Sequence, residues 1–369
     1  MRIDLFRPRV SPEAAAAVAA VLESGWLGTG AKVREFEIAF AKQVDATDCV
    51  MVNNGTAAIH LALHSADLPA GAEVITSPLT YVATHHAILY AGYRPIFADV
   101  QPTTGNLDPA SVAARITPQT RALLPIHYAG YPCDLDQLYR LAEEHSLAVI
   151  EDCAHATGAS YRGAPIGSSP GLCCFSLNPT KNLTAGQGGA ITTSRSGFGE
   201  RLRALRNLGL SADSFTRQAR SCGEDTPWRY AIREVGYPYA PSDLNAAIGL
   251  VQLPRLVADN QRRAEIASVY RSCLRGRSGI QLLEYADDRE SSYCFYPILV
   301  ERRDDLAGKL RRHGVGVGVH FPPNDLLADQ YDQTPNAVDF SRRTLTLPLH
   351  VGLTDDDLEI VSGLVAAGW

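Results

Sequence analysis

The 369-residue chain lacks any apolar run near the roughly 20 residues that a membrane span requires, so no membrane association is expected. It also lacks a basic surplus, because 34 Lys and Arg stand against 40 Asp and Glu, a formal net charge of −6. A chain of this charge is not expected to bind nucleic acid through phosphate contacts. The first twenty residues contain charges and no uninterrupted apolar core, and we therefore expect no export signal.

No two of the eight cysteines are spaced as Cys-x-x-Cys, which argues against a zinc ribbon and a thioredoxin-like site. Eight cysteines are also too few for a disulfide scaffold in a chain of this length. We expect reduced, mostly buried thiols in a cytoplasmic protein. The chain has neither a G-x-x-x-x-G-K-[ST] phosphate loop nor a His-Glu-x-x-His sequence, and we expect no metal site.

Apolar runs that are typical of buried strands alternate with helical patterns along the first half of the chain. Strands are expected at 49–53, 73–77, 95–98, 121–126, 147–152, 172–177 and 189–194, and helices at 56–67, 81–91, 109–115 and 134–145. Another helix is expected between a Ser11 cap and Gly25. The alternation predicts an α/β fold with a mostly parallel sheet and helices on both faces.

The second half of the chain is less regular. Residues 211–241 mix charges, glycine and proline, and we expect a long loop there. A helical stretch follows from Ser242 to Arg275, with a kink at Pro254. Further strands are expected near 292–300 and 315–321, with helices near 303–313 and from Thr354. We place the domain boundary at the kink, which predicts a large domain of residues 1–255 and a small domain of residues 256–369.

The segment 53–58 (NNGTAA) joins the end of one predicted strand to the start of a helix. Gly55 allows a ligand to approach the backbone closely. The N–H groups at the helix start and the Thr56 hydroxyl suit a phosphate group. The same residues also form an ordinary helix cap, and this segment alone does not separate the two interpretations.

The segment 149–155 (VIEDCAH) places two carboxylates and a histidine at the end of a buried strand. Open α/β sheets bind ligands at that end of their strands. Burial of Asp152 requires a cation, and a protonated pyridine nitrogen is such a cation. The alternative is that Asp152 caps the following helix.

A lysine and an aromatic residue complete the candidate set. Lys181 lies between Ser176 and a glycine-rich bend at 186–189, where it is either solvated or able to form a Schiff base with an aldehyde cofactor. Tyr81 follows another strand end, where it either packs in the core or stacks on a flat ring. A phosphate cradle, a stacking aromatic, an acidic partner and a lysine are the parts that a pyridoxal phosphate site requires.

Over nearly its full length the chain resembles the sugar aminotransferases of the DegT/DnrJ/EryC1/StrS family. The similar segments are SGWLGTG (24–30), NNGTAA (53–58), SPLTYVAT (77–84), VIEDCAHATGA (149–159), CFSLNPTKNLTAGQGGA (174–190), LRNLG (205–209), SDLNAAIGLVQL (242–253) and TLPLHVGL (346–353). The resemblance implies the fold type I architecture of aspartate aminotransferase, pyridoxal 5′-phosphate as cofactor, and a homodimer with shared active sites.

The resemblance also implies roles for eight residues. Lys181 matches the lysine that binds the cofactor and shuttles the proton. Asp152 matches the carboxylate that keeps the ring nitrogen protonated. His155 matches the residue beside the ring oxygen, and Tyr81 matches the aromatic stacked on the ring. The phosphate end of the cofactor is assigned to Gly55, Thr56, Ala57 and Ser176.

Several positions depart from the family pattern. Relatives often carry Asn and Arg where this chain has Pro238 and Ala240. That Asn reaches the phosphate in the neighbouring subunit, and the Arg helps to neutralise anionic substrate in some relatives. We therefore expect either a less anionic substrate or a cation recruited from Arg229 or Arg233. Further departures are Gln187, Leu208 and Asp325, which stand where Glu, His and His are frequent.

The expected reaction moves an amino group from an amino acid, L-glutamate, to a keto-sugar that is most often nucleotide-linked. A keto-cyclitol is the alternative acceptor. A sugar dehydratase is disfavoured because relatives with that chemistry carry His in place of Lys181. A regulator that binds the cofactor without turnover is disfavoured by the intact Lys181, Asp152 and His155.

Overall fold

A seven-stranded sheet forms the centre of the structure, a computed structural model that describes residues 2–195, 197–220 and 230–369. The strands are β1 (Asp48–Val52), β2 (Glu73–Thr76), β3 (Arg94–Phe97), β4 (Thr120–Leu124), β5 (Ala148–Asp152), β6 (Ser160–Tyr161), β7 (Ala164–Pro165), β8 (Leu172–Ser176), β9 (Gly189–Thr193), β10 (Ile280–Leu282), β11 (Arg289–Glu290), β12 (Tyr296–Val300) and β13 (Thr344–Leu347).

The helices are α1 (Pro12–Ser24), α2 (Ala31–Gln43), α3 (Gly55–Ser65), α4 (Val82–Tyr90), α5 (Pro109–Arg115), α6 (Leu135–Glu144), α7 (Phe198–Leu205), α8 (Ser214–Arg220), α9 (Asp243–Gln252), α10 (Leu256–Leu274), α11 (Arg303–Arg312), α12 (Pro335–Arg343) and α13 (Asp355–Ala366). In the described part of the chain, no helix combines the length and the hydrophobicity needed to cross a membrane.

The large sheet has the order β1-β9-β8-β5-β4-β2-β3, and only β9 runs antiparallel to its neighbours. One cluster of buried hydrophobic side chains includes residues of α2 and α6, and another includes residues of α3, α4 and α7. The prediction of a mostly parallel sheet flanked by helices is therefore confirmed. The seven strands expected from the apolar runs all belong to this sheet.

A second, three-stranded sheet of order β10-β12-β13 packs with α10, α11 and α13 around a separate hydrophobic cluster. Ile3 joins this cluster from the other end of the chain and bridges to Val315. The division at residue 255 stays a prediction. The expected kink at Pro254 is present as a 3-10 turn, Leu253–Arg255, between α9 and α10, because proline offers no N–H to the helix.

Three local expectations were wrong. Residues 315–321 form only isolated bridges at Val315 and Gly318, since alternate glycines give a strand few side chains to pack. The region 211–241 contains α8 and is not entirely loop, although 221–229 lie outside the described residues. Ser11 precedes α1, but its side chain makes no capping hydrogen bond, while its N–H donates to Gln252.

Candidate active site

The carboxyl ends of β1, β2, β5 and β8 meet at one edge of the large sheet, because these four strands share a direction. A cavity of about 330 Å³ opens there. Seven of the eight predicted cofactor residues line it: Gly55, Thr56, Tyr81, Asp152, His155, Ser176 and Lys181. The fold thus brings together residues that are separated by more than 100 positions in the chain.

Ala57 is the predicted residue that does not line the cavity. Asn54 caps α3, and its Oδ1 accepts the Ala57 N–H at 2.8 Å, so the helix-cap interpretation of this segment is realised. The first turn of α3 still presents Gly55 and the Thr56 hydroxyl to the cavity, at the positive end of the helix dipole. A Cβ at Gly55 would lie 2.9 Å from the Cβ of Ser176, which explains the glycine.

Asp152 is the last residue of β5 and is buried. Its Oδ1 accepts the Ala154 N–H at 3.0 Å, and its Oδ2 accepts the Thr84 hydroxyl at 2.7 Å. Among the described residues it has no salt-bridge partner. Burial raises the pKa of Asp152 above its ordinary value, against the lowering effect of the Thr84 hydrogen bond. The site therefore has an uncompensated carboxylate beside the cavity, which favours a cationic ligand atom.

His155 follows β5 and is enclosed by aromatic rings. The Phe321 ring stacks on it at 5.8 Å, and the Phe295 ring meets it edge-on at 5.1 Å. Burial, with the charge of Lys181, holds the pKa of His155 well below its ordinary value, so the ring is neutral. Its Nδ1 is buried and finds no hydrogen-bond partner within the described residues.

Lys181 lies in the loop between β8 and β9. Two neighbouring contacts fix the loop: the Thr180 N–H and hydroxyl both donate to Asn178, and Asn182 donates to Asn260 of α10 at 2.7 Å. The Lys181 ammonium makes no hydrogen bond to the described part of the chain. A lysine on an anchored loop with an unengaged nitrogen at a cavity is suited to bond a carbonyl carbon.

Tyr81 comes directly before α4 and borders the cavity with 62% of its surface exposed. Its ring centroid lies 6.2 Å from that of Phe321. Of its two alternatives, core packing is therefore excluded, and an open aromatic face remains for a ligand.

The small C-terminal sheet region also supplies cavity residues, which the sequence reasoning missed: Cys294, Phe295, His320 and Phe321. His320 stacks on Phe295 at 4.5 Å, and its Nδ1 lies 2.7 Å from the Thr346 hydroxyl. Burial, with the charge of Lys181, lowers the pKa of His320 to about 4. The adjacent His320 and Phe321 were the sequence feature that could have indicated this part of the cavity. Only the fold brings them to the same cavity as Lys181.

The residues connected with the departures from the family pattern lie in different parts of the structure. Pro238 and the adjacent Tyr239 pack on the start of the α3 segment, where their carbonyl groups accept hydrogen bonds from Asn53. Gln187 lines the cavity. Arg233 does not; it lines a separate groove with Arg34 and Arg203. The other expected cation, Arg229, lies outside the described residues.

A sheet of this order, with a lysine cavity at the carboxyl ends of its strands, defines the class of fold type I pyridoxal phosphate enzymes. The chain belongs to the DegT/DnrJ/EryC1/StrS aminotransferase family, whose model matches residues 8–365. It is therefore a pyridoxal phosphate-dependent aminotransferase.

Three relatives illustrate the similarity. The spore coat polysaccharide biosynthesis protein SpsC of Bacillus subtilis is 36% identical over 368 residues, covering 96% of this chain and 94% of that protein. The sugar aminotransferase CalS13 of Micromonospora echinospora is 34% identical with a TM-score of 0.91 over 100% of both chains. Spr1654 of Streptococcus pneumoniae in its PMP form is 28% identical with a TM-score of 0.92, covering 99% and 98%.

The residues at the cavity fit pyridoxal phosphate. Asp152 has no salt-bridge partner among the described residues, and a protonated ring nitrogen supplies one. The orphaned Nδ1 of His155 is available to a polar substituent of the ring. Gly55 and Thr56 line the cavity at the start of α3, where the N–H groups of a helix terminus suit a phosphate.

Proposed function

We propose that this aminotransferase moves the amino group of L-glutamate to a keto-sugar carried by a nucleotide. The observation that carries the proposal is the single cavity that joins Lys181, Asp152 and His155. The sugar acceptor is supported by the relatives, since CalS13 is a sugar aminotransferase and SpsC is a polysaccharide biosynthesis protein.

Each cavity residue has a proposed task. Asp152 holds the ring nitrogen protonated, His155 lies at the ring oxygen, and Tyr81 covers one ring face. Lys181 holds the cofactor covalently, and its amine moves the proton at the donor's α-carbon. Pyridoxal phosphate, when bound, supplies an electron sink for the pair left by that proton. The phosphate is held by N–H groups and hydroxyls of Gly55, Thr56 and Ser176, whereas the Ala57 N–H, which was also expected to contribute, is bound by Asn54.

A keto-cyclitol is the second candidate acceptor. It is favoured by Ala240, which offers no charge, and by the lining of the cofactor cavity, where Lys181 is the single Lys or Arg among the described residues. A nucleotide diphosphate then lacks an obvious cation at this cavity. An uncharged ring with hydroxyl groups needs none and packs on aromatic faces instead.

We also propose that the protein is a homodimer whose active sites are shared between the two subunits. We propose that this dimer is cytoplasmic. The dimer is supported by exposed hydrophobic side chains at both ends of α4, namely Tyr81, which also lines the cavity, with Val82, Leu89 and Tyr90. The location is supported by the seven described cysteines, which are unpaired. Sedimentation velocity of the purified enzyme tests the dimer, and a monomer that turns over at full rate would contradict it.

The function is tested by following the absorbance spectrum of the enzyme in its two half-reactions. L-Glutamate is expected to convert the aldehyde form to the amine form. A nucleotide-linked keto-sugar and an inosose, at equal concentration, then compete to restore the aldehyde form. If only the inosose restored the aldehyde form, the amino-group acceptor would be a keto-cyclitol and not a nucleotide-linked sugar. A protein that binds the cofactor and never cycles would be a regulator.

The covalent site is tested separately. Borohydride reduction followed by peptide mapping is expected to find the cofactor on Lys181, and Lys181→Ala is expected to abolish turnover while the protein stays folded. A label on another lysine would contradict the assignment.

A further inference from the structure

A second, much smaller cavity lies beside the cofactor cavity and shares Lys181, Thr180 and Phe6 with it. Its volume is about 20 Å³. Since one water molecule needs roughly 10–15 Å³, the space admits one or two groups of that size, such as the two oxygens of a carboxylate, and no sugar. It lies where the N-terminal segment crosses between the lysine loop and α10.

The cavity carries an excess of positive charge. Arg7, Arg9, Lys181 and Arg263 line it, against the single carboxylate of Asp259. Asp259 has a cation of its own, because Arg255 lies 4.0 Å away, one helical turn earlier in the chain, although the charge of Asp259 also acts on Arg263. The backbone of the N-terminal segment is anchored beside the cavity, since the Arg9 carbonyl accepts a hydrogen bond from Gln252 at 2.7 Å.

Arg263 is the unusual member of this group. Only 8% of its surface is exposed, yet its guanidinium makes no hydrogen bond or ion pair to the described residues, and its Nε is fully buried. A buried charge without a partner is strongly unfavourable, so such a group is normally paired or hydrogen-bonded. A planar guanidinium is also the side chain best matched to a carboxylate. The small cavity therefore holds a buried guanidinium whose donors have no partner among the described residues, an arrangement that suits an anion.

The position of Lys181 indicates which anion this is. Lys181 lines both cavities, so a group bound here lies beside the residue at which the amino group is exchanged. Of the two proposed substrates, the keto-sugar has no carboxylate at its reacting carbon, whereas the amino-acid donor has one on the carbon that bears its amino group. We propose that Arg263 binds the α-carboxylate of the amino-acid donor in this cavity, an inference that rests on the proposed function.

The test measures donor affinity without turnover. α-Methyl-L-glutamate has no α-proton to lose, and its binding to the holoenzyme is followed through the cofactor absorbance. Arg263→Met is expected to raise its dissociation constant about 10- to 100-fold, the loss of a charge-assisted pair. Arg263→Lys keeps the positive charge but lacks the planar guanidinium with its paired N–H donors. Its dissociation constant is expected to lie between those of the wild type and Arg263→Met. The rate of the ketone half-reaction is expected to stay within about twofold.

Arg262→Met is the matched control, because Arg262 lies on the same helix but pairs outward with Glu265 and Asp355. It is expected to leave donor affinity unchanged. The wild-type enzyme supplies a test that needs no variant: 4-aminobutyrate, which is L-glutamate without its α-carboxylate, is expected to bind about 10- to 100-fold more weakly. That difference is expected to vanish in Arg263→Met.

Several results would overturn the inference. Unchanged donor affinity in Arg263→Met would do so, as would an equal loss in both half-reactions, which indicates a structural role. Acetate distinguishes a free anion from the donor: competition with α-methyl-L-glutamate supports the donor carboxylate, whereas stabilisation of the wild-type enzyme without competition assigns the cavity to a free anion. A wild-type enzyme that responds to no amino acid would reject the proposed function itself.

Discussion

Glu151 and Asp152 are adjacent carboxylates on β5, and successive side chains of a strand point to opposite faces. Glu151 is surrounded by donors of the protein itself. His127 Nε2 lies 2.9 Å from one oxygen, the Tyr139 hydroxyl donates to the other at 2.6 Å, and Ser169 donates as well. Burial acts to raise the pKa of Glu151, but these partners outweigh it and hold the pKa below its ordinary value.

Asp152 is also buried, and its carboxylate receives only the Thr84 hydroxyl and the Ala154 N–H as hydrogen-bond donors. Its pKa is raised, because burial outweighs those two hydrogen bonds. The same strand therefore holds one carboxylate whose charge the protein has already compensated and one whose charge it has not. The difference separates a structural group from a ligand-binding group more clearly than residue type does.

The hydrogen bonds that Glu151 already accepts also argue against a metal ion at this carboxylate. His127, Glu151 and Cys153 offer ligand atoms within 4.8 Å of one another. However, the Nδ1 of His127 accepts the Cys133 N–H at 3.1 Å, which leaves Nε2 as the donor to Glu151. A metal would have to displace hydrogen bonds that already satisfy these groups. We interpret this cluster as a fixed support for the end of β5.

The largest expected effect is that of Asp152→Asn. The change removes the charge at nearly constant shape, and the donor half-reaction is expected to slow about 10²- to 10⁴-fold, the equivalent of a broken buried charge pair. Stopped-flow absorbance with L-glutamate measures this rate. Pyridoxamine phosphate, which forms no bond to Lys181, is expected to bind this variant more weakly. A rate near that of the wild type would exclude the proposed role of Asp152.

The converse change is Glu151→Gln. It is expected to lower the free energy of unfolding by about 2–3 kcal/mol, because donors to a buried charge lose their acceptor. The donor half-reaction is expected to change by less than about threefold, since Glu151 does not line the cofactor cavity. Urea denaturation at one fixed protein concentration measures the stability. If activity fell as far as in Asp152→Asn, the division between the two carboxylates would be wrong.

The pH dependence of stability sharpens the comparison, because the two pKa shifts have opposite signs. Glu151 has a lowered folded pKa, so its contribution is complete above the unfolded value of about 4.3 and disappears as the pH falls through the folded value. Asp152 has a raised folded pKa, so ionising it destabilises the cofactor-free protein as the pH rises above about 3.9.

Cofactor-free Glu151→Gln is therefore expected to be less stable than the wild type at pH 7 and to converge with it in acid. Cofactor-free Asp152→Asn is expected to be at least as stable as the wild type at pH 7. Urea midpoints from pH 7 down to well below the unfolded value of about 4.3 measure both trends. Parallel curves for the two variants would show that the carboxylates are compensated alike.

The sequence alone could not separate these neighbours. Their position at a strand end followed from the apolar run 147–152, and the location of Lys181 followed from its motif. The compensation of Glu151 depends on His127, Tyr139 and Ser169, which reach it only through the tertiary fold. Arg263 was missed for a related reason, because an arginine in a helix pattern gives no sign that it is buried without a partner.

The smallest expected effect concerns Thr84, the side chain that holds Asp152. Its hydroxyl donates to Asp152 and lies 3.0 Å from the Thr80 hydroxyl, so Thr80 fixes the rotamer from the far side. Thr84→Val keeps the shape and removes two hydrogen bonds, the one to Asp152 and the one to Thr80. Affinity for pyridoxamine phosphate and the donor half-reaction rate are each expected to fall about three- to tenfold.

Thr84→Ser supplies the matched control, because it restores the hydroxyl and removes only a methyl group. It is expected to recover most of the affinity and rate. If Thr84→Val and Thr84→Ser behaved alike, packing of the side chain would be the cause. The hydrogen bond would then have no part in orienting Asp152, and the charge of that carboxylate would be set by burial and the cofactor alone.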